Sequence, residues 1–170
     1  AEAVGVGELI VGDTSRHLRR VFKLMERLKA EGKKSKAKVH RVHVIGAGVM
    51  GGVIAAWCVL RGLEVTLQDR EMKYIEPAIK RAAKLFSKKI RSKAAHAAAM
   101  ARLIPDPDGN GIARADVIIE AIFEDADVKR ELYQSIEPRM KKDAILVSNT
   151  SSIPVETLAT CLKNPGRLVG

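Results

Sequence analysis

Gly46, Gly48 and Gly51 fall in the run Arg41-Val42-His43-Val44-Ile45-Gly46-Ala47-Gly48-Val49-Met50-Gly51-Gly52, between a short apolar segment and an Ala-rich one. Glycines at this spacing let a chain turn sharply and bring its backbone against a pyrophosphate. They also seat the next helix close to a sheet, with its first amides aimed at the phosphates. The chemistry implied is dinucleotide binding. Asp69 closes the following apolar segment at about the 20-residue spacing at which a carboxylate reaches the adenosine ribose. A carboxylate there accepts from both ribose hydroxyls and repels a 2′-phosphate, so NAD is expected rather than NADP. Arg70, its neighbour, is the one residue able to offset that repulsion. Further along, Glu124 follows a third apolar segment, and Asn149 and Ser151 follow a fourth.

These groups need strands to carry them to one edge. Val42 to Ile45 reads as a strand, Val49 to Leu60 as a helix, Val65 to Gln68 as a second strand, and Met72 to Ile90 as a second helix. An Ala-rich stretch, Ala94 to Leu103, leads to the loop Pro105-Asp106-Pro107-Asp108-Gly109-Asn110-Gly111, which interrupts regular structure. Asp116 to Ile122 is the third strand, apolar on both faces as a central parallel strand should be. Val128 to Met140 is a helix whose inner stripe is expected at Leu132, Ile136 and Met140. Ala144 to Val147 is the fourth strand, and Pro154 opens a last helix, Val155 to Leu162, from the favoured first-turn position. The fold expected is α/β: a Rossmann-type parallel sheet with helices on both faces, ligands lying outside the carboxyl ends of its strands. Ahead of it, Leu18, Val21, Phe22, Met25 and Leu28 repeat at helical spacing, with Gly32 ending the helix and residues 33–38 forming a polar connector. This gives an amphipathic linker helix in residues 1–38 and a dinucleotide-binding domain in 39–170.

A chain of 170 residues suits one domain and falls short of the two that a nicotinamide dehydrogenase needs, so a further part is expected. No segment resembles a signal peptide or a bilayer-spanning run, and the expected setting is the cytoplasm. Cys58 and Cys161 lack metal-ligand spacing and read as reduced core residues. The net charge of +10 is concentrated in the first forty residues and between Glu71 and Lys93. Such a surface suits an anionic partner or a polyphosphate ligand. The aromatic content of 4% leaves no stacking platform for single-stranded nucleic acid.

Taken jointly, the glycine run, Val117-Ile118-Ile119-Glu120-Ala121-Ile122-Phe123-Glu124 followed by Lys129, and Ser148-Asn149-Thr150-Ser151-Ser152-Ile153-Pro154 resemble the NAD-binding domain of 3-hydroxyacyl-CoA dehydrogenases. The likeness spans Arg41 to Gly170 and is nearest to the dehydrogenase part of multifunctional fatty-acid oxidation proteins. Residues 1–38 then resemble the linker that follows an enoyl-CoA hydratase domain. The resemblance implies that Gly46, Gly48, Val49, Met50 and Gly51 hold the pyrophosphate and nearby ribose, and that Asp69 holds the adenosine ribose. It implies that Ile122, Phe123, Glu124 and Lys129 line the nicotinamide side. Ser151 would stand near the nicotinamide and the substrate oxygen, as the one catalytic residue present, with Asn149 beside it. Lys84 and Lys88, on the basic helix, would approach the coenzyme A phosphates of an acyl-CoA substrate. Implied partners are the hydratase domain, a downstream helical domain and a thiolase subunit, with no nucleic acid and no membrane span.

Two departures accompany the likeness. Val53 stands where relatives often carry another glycine, and it is expected to crowd the helix against the sheet. The family's catalytic histidine, in a His-Phe-Phe-Asn-Pro segment, and its partner glutamate match nothing in these residues, so the chain is expected to bind NAD and turn over nothing alone. Two other readings are a 3-hydroxyacid or 6-phosphogluconate-type dehydrogenase and a non-catalytic basic binding module.

Overall fold

The computed structural model describes residues 10–34 and 37–170. The chain divides into two compact units, Ala1–Lys38 and Val39–Gly170. In the first, α1 (Asp13–Lys34) runs through Gly32 rather than ending there. Ion pairs within the helix, Arg27 to Glu31 at 3.0 Å and Lys29 to Glu26 at 2.8 Å, accompany that last stretch. One glycine costs a helix only about 1 kcal/mol, too little to stop it unaided.

The second unit is built on a six-stranded parallel sheet, β1 (Arg41–Ile45), β2 (Glu64–Gln68), β3 (Leu103–Pro105), β4 (Val117–Glu120), β5 (Ile145–Ser148) and β6 (Leu168–Val169), in the order β3-β2-β1-β4-β5-β6. The strand order reverses between β1 and β4. An open α/β sheet has its binding crevice at such a point. Val42 and Val44 of β1, Val65 and Leu67 of β2 face a core completed by α2 (Val49–Leu60), α3 (Met72–Lys89) and α4 (Lys93–Ala101). Ile45, Ile118 and Leu146 face the opposite core, closed by α5 (Ala126–Ile136) and α6 (Val155–Ala159). The period-two alternation of each strand thus feeds two cores, which is what places helices on both faces.

Several elements depart from expectation. β3 and β6 join the four expected strands at the two edges. α5 ends at Ile136 in a 3₁₀ turn, Glu137–Arg139; Lys129, Tyr133 and Ile136 are its buried residues, and the expected Leu132 and Met140 pack half-buried against the same core. The helix starts at Ala126, two residues before the expected Val128, because the Asp125 carboxylate caps it by accepting from the Asp127 and Val128 amides. Pro154 is the N-cap of α6 rather than its first helical residue. Val53 is 42% exposed on α2. The close contacts of that helix are made by Gly51 and Gly52, the latter against Ala78 of α3.

Candidate functional site

The crevice at the reversal is a groove of about 410 Å³ lined by Gly46, Gly48, Asp69, Ile122 and Phe123, with an apolar wall from Pro107, Val128 and Leu132. Gly46 makes the first turn at φ 102°, where a side chain is strained, and a Cβ there would stand 2.5 Å from the Ala121 carbonyl oxygen of the neighbouring loop. A Cβ on Gly51 would collide with the Gly46 carbonyl oxygen, so the loop folds tightly back on the start of α2. At Gly48 a Cβ would meet nothing within 4 Å, because that position opens on the groove.

Gly48 is also the N-cap of α2, and no side chain caps this helix, in contrast to α4 with Ser92 and α5 with Asp125. Its first amides therefore lack a side-chain acceptor and carry the positive end of the helix dipole toward Val49 and Met50. An anion is the complement such a terminus lacks. Val49 and Met50 are both exposed at that turn, while Gly51 is buried beneath it. Arg81 reaches from α3 to brace the loop, donating to the carbonyl oxygens of Ala47 at 3.3 Å and Gly48 at 3.1 Å. In the sequence Arg81 shows only as one of the basic residues between Glu71 and Lys93.

Asp69 ends β2 with both carboxylate oxygens oriented, one accepting from the Ala47 amide at 2.8 Å and the other from the Arg70 amide at 2.8 Å. It is thus presented to the groove at a fixed angle. The Arg70 guanidinium lies 5.1 Å from the centre of the Tyr74 ring.

Past β4 and β5 the polar residues form a connected cluster. Glu120 is wholly buried and accepts five hydrogen bonds. They come from the Ile122 amide, from Lys129 Nζ to both oxygens at 2.8 and 2.9 Å, from the Tyr133 hydroxyl at 2.7 Å and from the Ser148 hydroxyl at 2.8 Å. Burial, with the Glu120 charge beside it, raises the Tyr133 phenol far above its usual range, so it stays a donor. Lys129 Nζ also forms an ion pair with Glu124 Oε2 at 3.1 Å. Glu124 Oε1 then accepts from the Thr150 hydroxyl at 2.6 Å, the Ser151 amide, and the amide and hydroxyl of Ser152. The Thr150 hydroxyl and the Ser151 amide hold the Glu124 carboxyl well below the ordinary carboxylate range.

Glu124 and Ser151 are therefore brought together, 27 residues apart in the chain. Asn149 continues the ladder, its amide donating to the Glu120 carbonyl at 2.9 Å, with its side chain exposed. Lys129 is wholly buried and paired with Glu120 and Glu124, and neither it nor Glu124, Asn149 or Ser151 stands among the residues that line the groove. Glu120, Tyr133 and Ser148 were not singled out in the sequence. The available signal was an acid ending an otherwise apolar parallel strand, with Lys and Tyr nine and thirteen residues on, one helical turn apart. Lys84 and Lys88 are exposed one turn apart on α3, outside the groove lining.

The family model for the NAD-binding domain of 3-hydroxyacyl-CoA dehydrogenase matches residues 41–170. The alpha subunit of the fatty acid oxidation complex of Vibrio vulnificus is 35% identical over 99% of this chain, which spans 25% of that protein's length. Among solved structures, 3-hydroxybutyryl-CoA dehydrogenase of Escherichia coli superposes with a TM-score of 0.74 at 31% identity, over 78% of this chain and 29% of the other. The dehydrogenase part of multifunctional enzyme 1 from C. elegans gives 0.70 at 29% identity, over 79% of this chain and 31% of the other. Among the described residues no helix is long and apolar enough to cross a membrane. With the uncapped helix behind the glycine turn, the open position at Gly48 and the oriented Asp69, these matches show that the chain belongs to the 3-hydroxyacyl-CoA dehydrogenases, as their NAD-binding domain.

Proposed function

We propose that these residues serve the oxidation of (3S)-3-hydroxyacyl-CoA to 3-oxoacyl-CoA in fatty-acid oxidation, as the cofactor-holding part of the enzyme. The observation that supports this best is the order of chemistry across the carboxyl ends of the strands: Asp69 after β2, the glycine turn after β1, Glu124 after β4 and Ser151 after β5. A dinucleotide laid across a reversal point meets groups in that order. Gly46, Gly48, Val49, Met50 and Gly51 hold the diphosphate and its nearer ribose, and Asp69 holds the adenosine ribose. Ile122, Phe123 and Glu124 line the nicotinamide side, with Asn149 beside them. Lys129 serves through Glu124. The cofactor, when bound, supplies the hydride acceptor. Ser151 donates a hydrogen bond to the reacting oxygen.

Loss of the hydroxyl proton needs a base. The four histidines do not line the groove: His43 is closed inside the sheet, His40 precedes β1, and His17 and His96 lie on α1 and α4. The base and its glutamate accordingly come from a part of the enzyme outside these residues, as does the helical domain that completes the acyl-CoA site. In this reading residues 1–38 link an enoyl-CoA hydratase domain to the NAD-binding domain of 39–170, and Lys84 and Lys88 approach the coenzyme A phosphates. A thiolase subunit as partner and a bacterial cytoplasmic setting follow from the same reading. The 170-residue chain is expected to bind NADH and give no turnover with acetoacetyl-CoA. The complete enzyme is expected to turn over and to slow about a hundredfold with Ser151→Ala, the usual scale for losing one donor to a developing oxyanion. Robust turnover by the chain alone, or an unaffected Ser151→Ala enzyme, would contradict the proposal.

A further inference from the structure

Five hydrogen bonds from four groups converge on Glu120, and two of the groups, the Ile122 amide and the Lys129 ammonium, can only donate. A proton on Glu120 would forfeit one of these bonds or force the Tyr133 or Ser148 hydroxyl to reverse its role, so the geometry favours the carboxylate. Glu124 meets the same condition, with four donors on one oxygen and Lys129 on the other. Lys129, facing three carboxylate oxygens, is the ammonium. Two anions and one cation leave a single net negative charge at the ends of β4 and β5. Glu120 and Lys129 are wholly buried, and Glu124 is about one-third exposed, so water screens the cluster incompletely.

On the reading given above, the nicotinamide end of the cofactor lies over this cluster, since Asp69 takes the adenosine end on the other side of the reversal. Oxidised and reduced nicotinamide differ by one positive charge on the ring. We propose that the Glu120–Lys129–Glu124 cluster, by its net negative charge, sets the preference of the groove between oxidised and reduced cofactor, favouring the oxidised form relative to what the same groove would do without that charge. Glu120 acts here as a positioning residue, fixing Lys129 and the Ile122 backbone. Glu124 carries the charge nearest the ring and orders the Thr150–Ser152 turn.

The test is the ratio of the dissociation constants of NADH and NAD+ for the 170-residue chain, measured by calorimetric titration of each. Glu120→Gln keeps the shape of the buried side chain and removes its charge, and Glu124→Gln does the same nearer the surface, where loss of folding is not at issue. Either substitution is expected to weaken NAD+ relative to NADH by about fivefold, the scale of a unit charge acting across several ångströms of partly screened protein. Loss of affinity for both forms by the same factor would show a packing role only and overturn the inference. Failure of the unsubstituted chain to bind either form would overturn the dinucleotide reading itself, a result distinguishable from an unchanged ratio.

Discussion

At the level of single residues the site depends on side chains that are missing as much as on those present. Gly51 permits the loop to close on the first turn of α2, and a methyl group there has no space to move into because its obstacle is backbone. Gly51→Ala is expected to destabilise the chain by about 3 kcal/mol, the upper end for overpacking. A denaturant midpoint equal to that of the unsubstituted chain would show that the loop yields. Val53 carries the contrasting lesson. The resemblance, with a glycine in relatives, gives an expectation of crowding, but the outcome depends on which way the position faces, and Val53 is 42% exposed. Lys129 is similar, since an isolated helix lysine gives no sign of its burial, which follows from Glu120 and Glu124 approaching it from two other segments.

Among elements, the sheet was legible where strands are long and apolar and hidden where they are short. β1, β2, β4 and β5 were visible from their Val and Ile content, and the glycine turn and Asp69 were placed by spacing alone. β3 is three residues ending in Pro105, and β6 is two residues. Neither carries a period of its own, and each is a strand because a neighbour offers it a ladder. The polar cluster was hidden because it is assembled from β4, α5 and β5. His43 shows an element acting on a residue. Its Nδ1 and Nε2 bond Thr66 Oγ1 at 2.7 Å and Gln68 Oε1 at 2.8 Å across β1 and β2. Burial lowers its pKa from the ordinary 6.5, opposed in part by the Gln68 bond and by Asp106. As pH falls below 6.5 the unfolded chain takes up the proton before the folded one, so stability falls with pH in that window and is unaffected by this group above it. Chemical denaturation on either side of that pH is expected to show the loss, and His43→Asn to reduce it. A slope unchanged by the substitution would assign the loss elsewhere.

For the molecule as a whole, the charge distribution and the fold divide the work. The parallel sheet gathers the glycine turn, Asp69, Glu124 and Ser151 along one edge, although they span more than half of the Val39–Gly170 unit in sequence. The central claim is that NAD lies across that edge with its diphosphate on the amides at the start of α2 and its adenosine ribose on Asp69. The direct measurement is the thermal unfolding of the 170-residue chain with NAD, with NADP and with neither, repeated for Asp69→Asn. NAD at a hundred times its dissociation constant is expected to add about 2.7 kcal/mol and raise Tm accordingly. NADP at the same concentration is expected to raise it far less, and Asp69→Asn to narrow the gap. Equal stabilisation by NAD and NADP with Asp69 intact, or none by NAD, would contradict the account.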